Sequence, residues 1–192
     1  MTIFDLIFIA VFFATVIMLV VVAITVIRGR RRQAFVIARG LVLFDVAYLL
    51  VIVVVSLATP ARVLHLHEPQ CFDDWCLSVE QVESTLSGAE STYTTTLRLF
   101  SRARGRAQRE NGVSVYLLDE QGRRYEPMDE PHSVSLNVML SPGESANATR
   151  KFTVPADVNN PVLVVAHGRF PGMFIIGDSQ SLFHRPSIVR FQ

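Results

Sequence analysis

Two long apolar runs open the chain, and shorter alternating patterns follow them. Residues 3–27 carry a single charge, Asp5, and residues 34–58 form a second run that ends just before Thr59 and Pro60. About 20 consecutive apolar residues are enough to cross the hydrocarbon core of a bilayer. A cleaved signal peptide is the rival interpretation of the first run, but no basic segment precedes it and the run is too long. The pattern therefore predicts two transmembrane helices.

Arginines between the two runs set the predicted orientation. Only residues 28–33 separate the helices, which predicts a tight hairpin spanning residues 1–60. The positively charged side chains in this turn are Arg28, Arg30, Arg31 and Arg32. Because arginine and lysine accumulate in cytoplasmic loops, the turn is expected in the cytoplasm. This predicts a two-pass protein of the bacterial inner membrane, with the N-terminus and everything after Pro60 in the periplasm.

A carboxylic acid lies near the middle of the second predicted helix. Asp45 is costly in hydrocarbon unless it is protonated, hydrogen-bonded or turned towards protein. One interpretation is a proton or ion relay. The other is a polar helix contact, with Thr15, Thr25, Tyr48 or another subunit as the partner. We expect the helix contact, which favours an anchor that packs against other membrane proteins.

After residue 60 the hydrophobic pattern changes to short segments with a period of two, which is typical of β-strands. Turn residues such as those of Ser141-Pro-Gly-Glu144 separate the segments. The predicted strands are residues 77–83, 92–100, 113–118, 123–125, 134–140, 149–154, 162–166, 174–176 and 188–191. Residues 77–192 are therefore predicted to be an immunoglobulin-like antiparallel β-sandwich, joined to the anchor by a linker at residues 61–76. A cupredoxin-like barrel is the alternative.

The net charge of the chain limits the classes of molecule that it is expected to bind. The 192-residue chain has a net charge of +1, and the part from residue 61 onward has 13 basic and 15 acidic residues. A nucleic-acid-binding domain is normally strongly basic, so no nucleic acid partner is expected. The expected partners are the lipid bilayer and other integral membrane subunits in a hetero-oligomer.

The only two cysteines, Cys71 and Cys76, lie in the predicted linker. Outside the cytoplasm the oxidising environment favours a disulfide between them. The alternative is a metal site that adds His65 and His67, because two histidines and two cysteines can bind zinc or copper. We expect the disulfide and no cofactor.

The region after residue 163 offers apolar side chains but no convincing catalytic set. Asp178, Ser179 and His184 have the residue types of a hydrolase triad, yet no nucleophile-elbow sequence surrounds the serine. The chain is therefore not expected to be an enzyme. The same glycine- and proline-rich loop is expected to fold back on the sandwich or to offer an apolar contact surface to a partner. The candidates for that contact are Phe170, Met173, Phe174 and Phe183.

Three short motifs give the sequence a family resemblance. They are Leu-x-Pro-Gly-Glu-Ser at 140–145, Phe-x-Val-Pro at 152–155 and Gly-Asp-Ser at 177–179. With them, residues 75–192 resemble bacterial extracytoplasmic immunoglobulin-like domains of the DUF4352-like group, which implies a fold and an envelope location but no reaction. The two-helix anchor before a β domain is similar in architecture to subunit II of cytochrome oxidases. That family's dicopper motif is absent, because both cysteines precede the domain.

These observations lead to a hypothesis of a non-catalytic accessory subunit in a multi-subunit membrane complex, stabilising assembly on the periplasmic side. A bioenergetic host is preferred, either a respiratory complex or a photosynthetic reaction centre with its light-harvesting antenna. One alternative is a metal-handling or assembly protein of the envelope that uses His65, His67, Cys71 and Cys76. The other is an envelope ligand-binding or sensor module.

Overall fold

The computed structural model describes residues 3–130, 133–168, 172–178 and 181–191. The chain forms two compact units. The first consists of Met1–Pro60 together with Arg169–Arg185, and the second of Ala61–Gly168 together with Pro186–Gln192. The C-terminal stretch 169–185 therefore belongs with the helices and not, as the sequence suggested, with the β domain.

The first unit is built on two helices, α1 (Ile3–Ile27) and α2 (Arg31–Ala58). Both are long and apolar enough, by length and composition, to cross a membrane. The predicted start of α2 at residue 34 is three residues late. Apolar side chains surround both helices, and large hydrophobic side chains such as Phe13, Leu50 and Val54 are more than half exposed. An all-round apolar surface of this kind is typical of a membrane span.

The two helices meet along a narrow seam. The less exposed positions of α1 recur every three or four residues, as expected for two helices packed side by side. They include Phe8, Val11, Thr15, Met18, Val22 and Thr25. Facing positions in α2 follow the same spacing and include Ala34, Leu41, Asp45, Tyr48 and Ile52. The hairpin is thus an antiparallel pair in contact through one face of each helix.

A glycine closes the first helix. Gly29 has a φ of +77°, and its amide donates to the Val26 carbonyl at 2.9 Å. The Arg30 amide donates to the Thr25 carbonyl at 3.1 Å. This pair of bonds is the Schellman motif, whose left-handed residue is usually glycine. The motif reverses the chain within three residues, so the arginine-rich turn is as tight as the sequence predicts.

The second unit is a β-sandwich, which confirms the predicted fold class. Its nine strands among the described residues are β1 (Val63–Leu64), β2 (Gln70–Phe72), β3 (Trp75–Ser87), β4 (Glu90–Ser101), β5 (Ser114–Leu118), β6 (Arg124–Tyr125), β7 (Ser145–Pro155), β8 (Val162–Ala166) and β9 (Ser187–Val189). One sheet has the order β1-β9-β8-β5-β6 and the other the order β2-β3-β4-β7. All pairings are antiparallel except that of β1 with β9.

Inward-facing side chains from both sheets form the core. Trp75, Leu97, Leu117, Phe152 and Leu163 are each at most 1% exposed and belong to one buried cluster. Alternation along β4 and β7 brings Leu97 and Phe152 to the inner face of their sheet, as the period of two predicts. The sandwich therefore has a core of its own, separate from the helical unit.

Three parts of the predicted linker and sandwich differ from the sequence prediction. Residues 61–76, interpreted as a linker, contribute β1 and β2 to the two sheets. Residues 134–140 form no strand, and only Leu140 makes an isolated bridge, to Gln108. Residues 174–176, predicted as a strand, are in the other unit, where Phe174 is the last residue of a short 3₁₀-helix at Gly172–Phe174.

Candidate functional site

The two cysteines form the expected disulfide. Cys71 and Cys76 are directly opposite each other on β2 and β3, with their Cα atoms 4.0 Å apart. The hairpin turns at Asp73, whose φ of +52° is a conformation that aspartate tolerates better than most residues. Beside the bridge, the Trp75 ring is buried and packs against Phe72 with ring centroids 6.4 Å apart. The bridge therefore fastens a hairpin that is already anchored in the core.

The histidines proposed as metal ligands have other partners. Nδ1 of His67 lies 3.1 Å from Oε2 of Glu80, and the His65 backbone amide donates to Glu68. The pKa of Glu80 is lowered, first because the Ser78 hydroxyl donates to it and second because of His67. Both cysteine sulfurs are used by the disulfide. In the described part of the chain, no group of three or more histidine, cysteine, aspartate or glutamate side chains is arranged to hold a metal ion.

Asp45 makes a helix contact inside the hairpin. The Thr15 hydroxyl of α1 donates to Oδ1 of Asp45 at 3.0 Å. Of the other two candidate partners in the sequence, Thr25 donates instead to the Val21 carbonyl and Tyr48 to the Phe174 carbonyl. Asp45 is partly exposed, and the structure gives its Oδ2 no hydrogen bond within the described residues. One oxygen of the carboxyl group is thus held by the hairpin and the other is open to a further donor.

The arginine-rich turn is exposed and concave. Arg28, Arg30 and Arg32 line a depression of about 410 Å³ together with Thr25 and Gln33. The N-terminus of α2 has Arg30 at the N-cap position and no side-chain cap. Three arginines thus line this turn at the N-terminus of α2, which has no side-chain cap.

The predicted contact residues near the C-terminus belong to the helical unit. Met173 and Phe174 are partly buried, whereas Phe183 is 64% exposed and has a φ of +65°. Phe170 lies outside the described residues. Ser179 does as well, so the structure leaves the triad with Asp178 and His184 untested.

A groove at one edge of the sandwich was not predicted from the sequence. It has a volume of about 590 Å³ and is lined by Val82, Tyr93 and Phe191, with Glu120 and Arg190 as charged groups. The rings of Tyr93 and Phe191 stack with centroids 6.0 Å apart. These residues come from β3, β4 and the region after β9, so only the folded sheets bring them together. Volume and lining are in the range of small-molecule sites.

A histidine–glutamate pair lies close to the disulfide hairpin. Nε2 of His167 is 2.6 Å from Oε1 of Glu110, and the imidazole stacks on Phe72 with centroids 4.7 Å apart. Next to it the backbone passes very close to itself: a Cβ on Gly112, whose φ is +90°, would lie 3.2 Å from the Gly168 amide nitrogen. His167 thus has a partner for Nε2 and a stacking partner for its ring.

No protein-family model and no curated protein matches this sequence. Solved structures with a similar fold include an uncharacterized β-sandwich protein from Clostridium difficile, with 8% identity, a TM-score of 0.45, and coverage of 70% of this chain and 96% of that one. The secreted protein MPT63 from Mycobacterium tuberculosis has 11% identity, a TM-score of 0.44, and coverage of 57% and 92%. The yjhA protein from Bacillus subtilis has 10% identity, a TM-score of 0.43, and coverage of 67% and 98%. No function is transferred from structures this distant, and the DUF4352-like resemblance stays a prediction.

Proposed function

We propose that this protein is a non-catalytic accessory subunit of a membrane complex, anchored in the bacterial inner membrane by the α1–α2 hairpin and presenting its β-sandwich in the periplasm. Two features support the anchoring. Both helices are apolar on all sides, and the Cys71–Cys76 disulfide fits an oxidising compartment. The arginine-rich turn then lies in the cytoplasm.

The observation that carries the proposed subunit role is the half-satisfied carboxyl group of Asp45. Thr15 supplies a donor to one oxygen only. A polar atom in hydrocarbon that has no hydrogen-bond partner costs free energy. A neighbouring helix that supplies a donor removes this cost and is therefore expected to associate with the hairpin. The proposed partner is therefore another integral membrane protein whose helix places a donor beside Asp45. Nothing in the structure favours one host over another, so the bioenergetic complex stays a prediction from the sequence.

Purification from the native membrane tests the subunit role. The chromosomal copy is tagged, solubilised in mild detergent at its native expression level and analysed by native electrophoresis and mass spectrometry of the complex. We expect migration with other membrane subunits. Asp45→Leu should release the protein from them, because it removes both oxygens, whereas Asp45→Asn should retain the association. A wild-type protein that runs as a monomer under these conditions contradicts the proposal.

Ligand binding by the sandwich is a second candidate function, and the groove beside Tyr93 favours it. Stacked aromatic rings with an arginine at the rim suit a small aromatic carboxylate. A panel of such acids should raise the thermal unfolding temperature of the full chain, since a ligand that binds only the folded state stabilises it. The rise should disappear in Tyr93→Ala and Arg190→Gln and persist in Leu86→Ala, which is 69% exposed and is not among the residues lining the groove. An absence of stabilisation across the panel, or the same rise in all variants, rejects this role.

A further inference from the structure

The C-terminal segment, residues 169–185, returns to the helical hairpin more than 100 residues after the chain has left it. The structure describes residues 172–178 and 181–185 of this segment, and all of them group with the helices. The Tyr48 hydroxyl on α2 donates to the Phe174 carbonyl at 2.7 Å. This contact fixes where along the helix the segment lies.

The position of Tyr48 gives the depth of the segment. Tyr48 precedes the end of α2 at Ala58 by ten residues, which is about 15 Å at 1.5 Å per residue. Side chains on an α-helix lean towards its N-terminus, so the Tyr48 hydroxyl is not expected to lie closer to Ala58 than its own Cα does. If α2 crosses a hydrocarbon core of about 30 Å, the Phe174 carbonyl lies near its middle.

One face of α2 is covered at the same level. Ile52 and Ser56 follow Tyr48 at intervals of four residues and therefore lie on the same side of the helix. Both are 0% exposed, whereas Leu50 and Val54, on other sides of the helix, are 60% and 55% exposed. Tyr48 and Ile52 also belong to the seam with α1, so the strip from Tyr48 to Ser56 is shielded by the helical unit as a whole.

Part of the backbone of the segment has hydrogen-bond partners within the segment itself. Non-helical chain at membrane depth is tolerated only where its polar groups have partners within protein. Five amides of the described residues donate to carbonyls inside the segment, and they are those of Ile175, Asp178, Ser181, Leu182 and His184. The Ser181 hydroxyl also donates to the Ile175 carbonyl, and Ser181 is only 4% exposed.

The segment exposes one large apolar side chain among its described residues. Phe183 is 64% exposed, and its φ of +65° is a conformation that a bulky residue adopts only when its surroundings hold it there. Met173, Phe174, Ile175 and Ile176 are partly buried and add apolar surface, whereas the exposed Arg185 lies at the end of the segment, next to the return to the sandwich. An exposed phenylalanine held in a strained conformation beside an apolar hairpin fits the acyl chains of a lipid bilayer.

We propose that residues 172–178 and 181–185 belong to a re-entrant element that enters the periplasmic leaflet beside α2, held there by the Tyr48–Phe174 hydrogen bond and facing lipid acyl chains with Phe183. This rests on the proposed insertion of the hairpin. The protein then has three membrane-contacting elements, and its chain enters the bilayer a second time near the C-terminus. The chain of the sandwich is therefore connected to the membrane before β1 and again between β8 and β9.

Quenching of tryptophan by brominated lipid tests the depth of Phe183. The native Trp75 is 1% exposed in the core of the sandwich and gives a baseline. Phe183→Trp adds the probe, Leu50→Trp marks an exposed site on α2 two residues from Tyr48, and Leu86→Trp marks an exposed site on the β3–β4 hairpin. Each full-length variant is reconstituted in phosphatidylcholine vesicles whose acyl chains carry bromine either near the headgroup or near the bilayer centre.

We expect the added fluorescence to lose most of its intensity in Leu50→Trp and Phe183→Trp, and to stay unchanged in Leu86→Trp. Adding Tyr48→Phe should reduce the quenching of Phe183→Trp but not that of Leu50→Trp, because only the first depends on the hydrogen bond. Strong quenching at Leu50→Trp with none at Phe183→Trp overturns the re-entrant element and leaves the anchor intact. Absence of quenching at both positions overturns the membrane insertion itself.

Discussion

At the scale of single residues, the most densely hydrogen-bonded side chain in the sandwich is Asp119. Its Oδ1 accepts from the Gln121 and Arg123 amides, and its Oδ2 accepts from Nε of Arg123 and the Tyr125 hydroxyl. The side chain is 1% exposed. Burial raises its pKa, but the hydrogen bonds from Arg123 and Tyr125 outweigh burial and hold the pKa below the ordinary value of 3.8. Asp119 therefore organises the turn into β6 as a carboxylate.

This arrangement predicts an acid-sensitive contribution to stability. Because the folded-state pKa of Asp119 is lowered, its contribution is complete well above pH 3.8 and is lost as the pH falls through the lowered value. Asp119→Asn should destabilise the protein at neutral pH and flatten the fall in its unfolding temperature in acid. Thermal unfolding of the full chain between pH 7 and pH 2 measures both effects. Asp129→Asn, at an exposed carboxylate, is the control, and an acid response in Asp119→Asn equal to that of the wild type contradicts the prediction.

At the scale of elements, the segment at residues 134–140 shows where the sequence pattern misled. Its alternating apolar residues predict a strand, but Val134, Leu136 and Val138 pack against the core without joining a sheet. The alternating pattern indicates that every second side chain is buried, and this occurs in extended loops as well as in strands. What holds the segment is Arg150 on β7, whose guanidinium donates to the Val134 carbonyl at 2.8 Å and to the Ser133 hydroxyl. Because Arg150 is 16 positions away from Val134, the local sequence of the segment does not reveal this contact.

Arg150 should therefore stabilise this segment in a way that its neighbour does not. Burial lowers the pKa of Arg150, so its positive charge has to be held by these hydrogen bonds. Arg150→Met should cost about 2 kcal/mol of unfolding free energy and speed hydrogen exchange at residues 133–138. Lys151→Met, which removes a half-exposed ion pair with Glu130, should cost less than about 1 kcal/mol. Equal effects of the two substitutions would show that Arg150 is not the clamp.

The disulfide hairpin is the element whose chemistry the sequence predicted correctly. Two cysteines separated by four residues are close enough to bridge, and strands β2 and β3 put them opposite each other. Strand β3 was predicted in part, as residues 77–83, but β2 was missed because it is only three residues long and has too few positions to show a period. Replacing both cysteines with serine should cost about 2 kcal/mol, since the closed loop is short. Denaturant unfolding of the full chain in detergent measures this, and a cost near zero would mean that the anchored Trp75 alone holds the hairpin.

At the scale of the whole molecule, the division into an apolar hairpin and a β-sandwich was predictable because each has its own hydrophobic period. The return of residues 169–185 to the hairpin was not. Its apolar side chains suit a sandwich surface, a partner or a helix equally well, and only the folded chain brings Phe174 to Tyr48. The groove at Tyr93 could not be predicted from the sequence either, because its walls come from strands far apart in the chain.

The orientation of the whole protein should depend on the four arginines of the turn. A phosphatase fused after Gln192 is active only in the periplasm, so the wild-type fusion should be active. Replacing Arg28, Arg30, Arg31 and Arg32 with glutamine removes most of the positive-inside signal and should lower phosphatase activity several-fold.

The disulfide provides an independent readout of the same change. Cys71 and Cys76 should resist alkylation in the wild type but react in the fraction of molecules whose sandwich stays in the reducing cytoplasm. The control replaces Arg102, Arg104, Arg106 and Arg109 in the sandwich with glutamine, which makes the same change in net charge. Positive charge at these positions is not expected to direct insertion, because long domains are translocated largely regardless of their charge. That control should keep full phosphatase activity and an intact bridge. Loss of activity in both sets of variants would trace the effect to total charge, and an inactive wild-type fusion would place the sandwich in the cytoplasm.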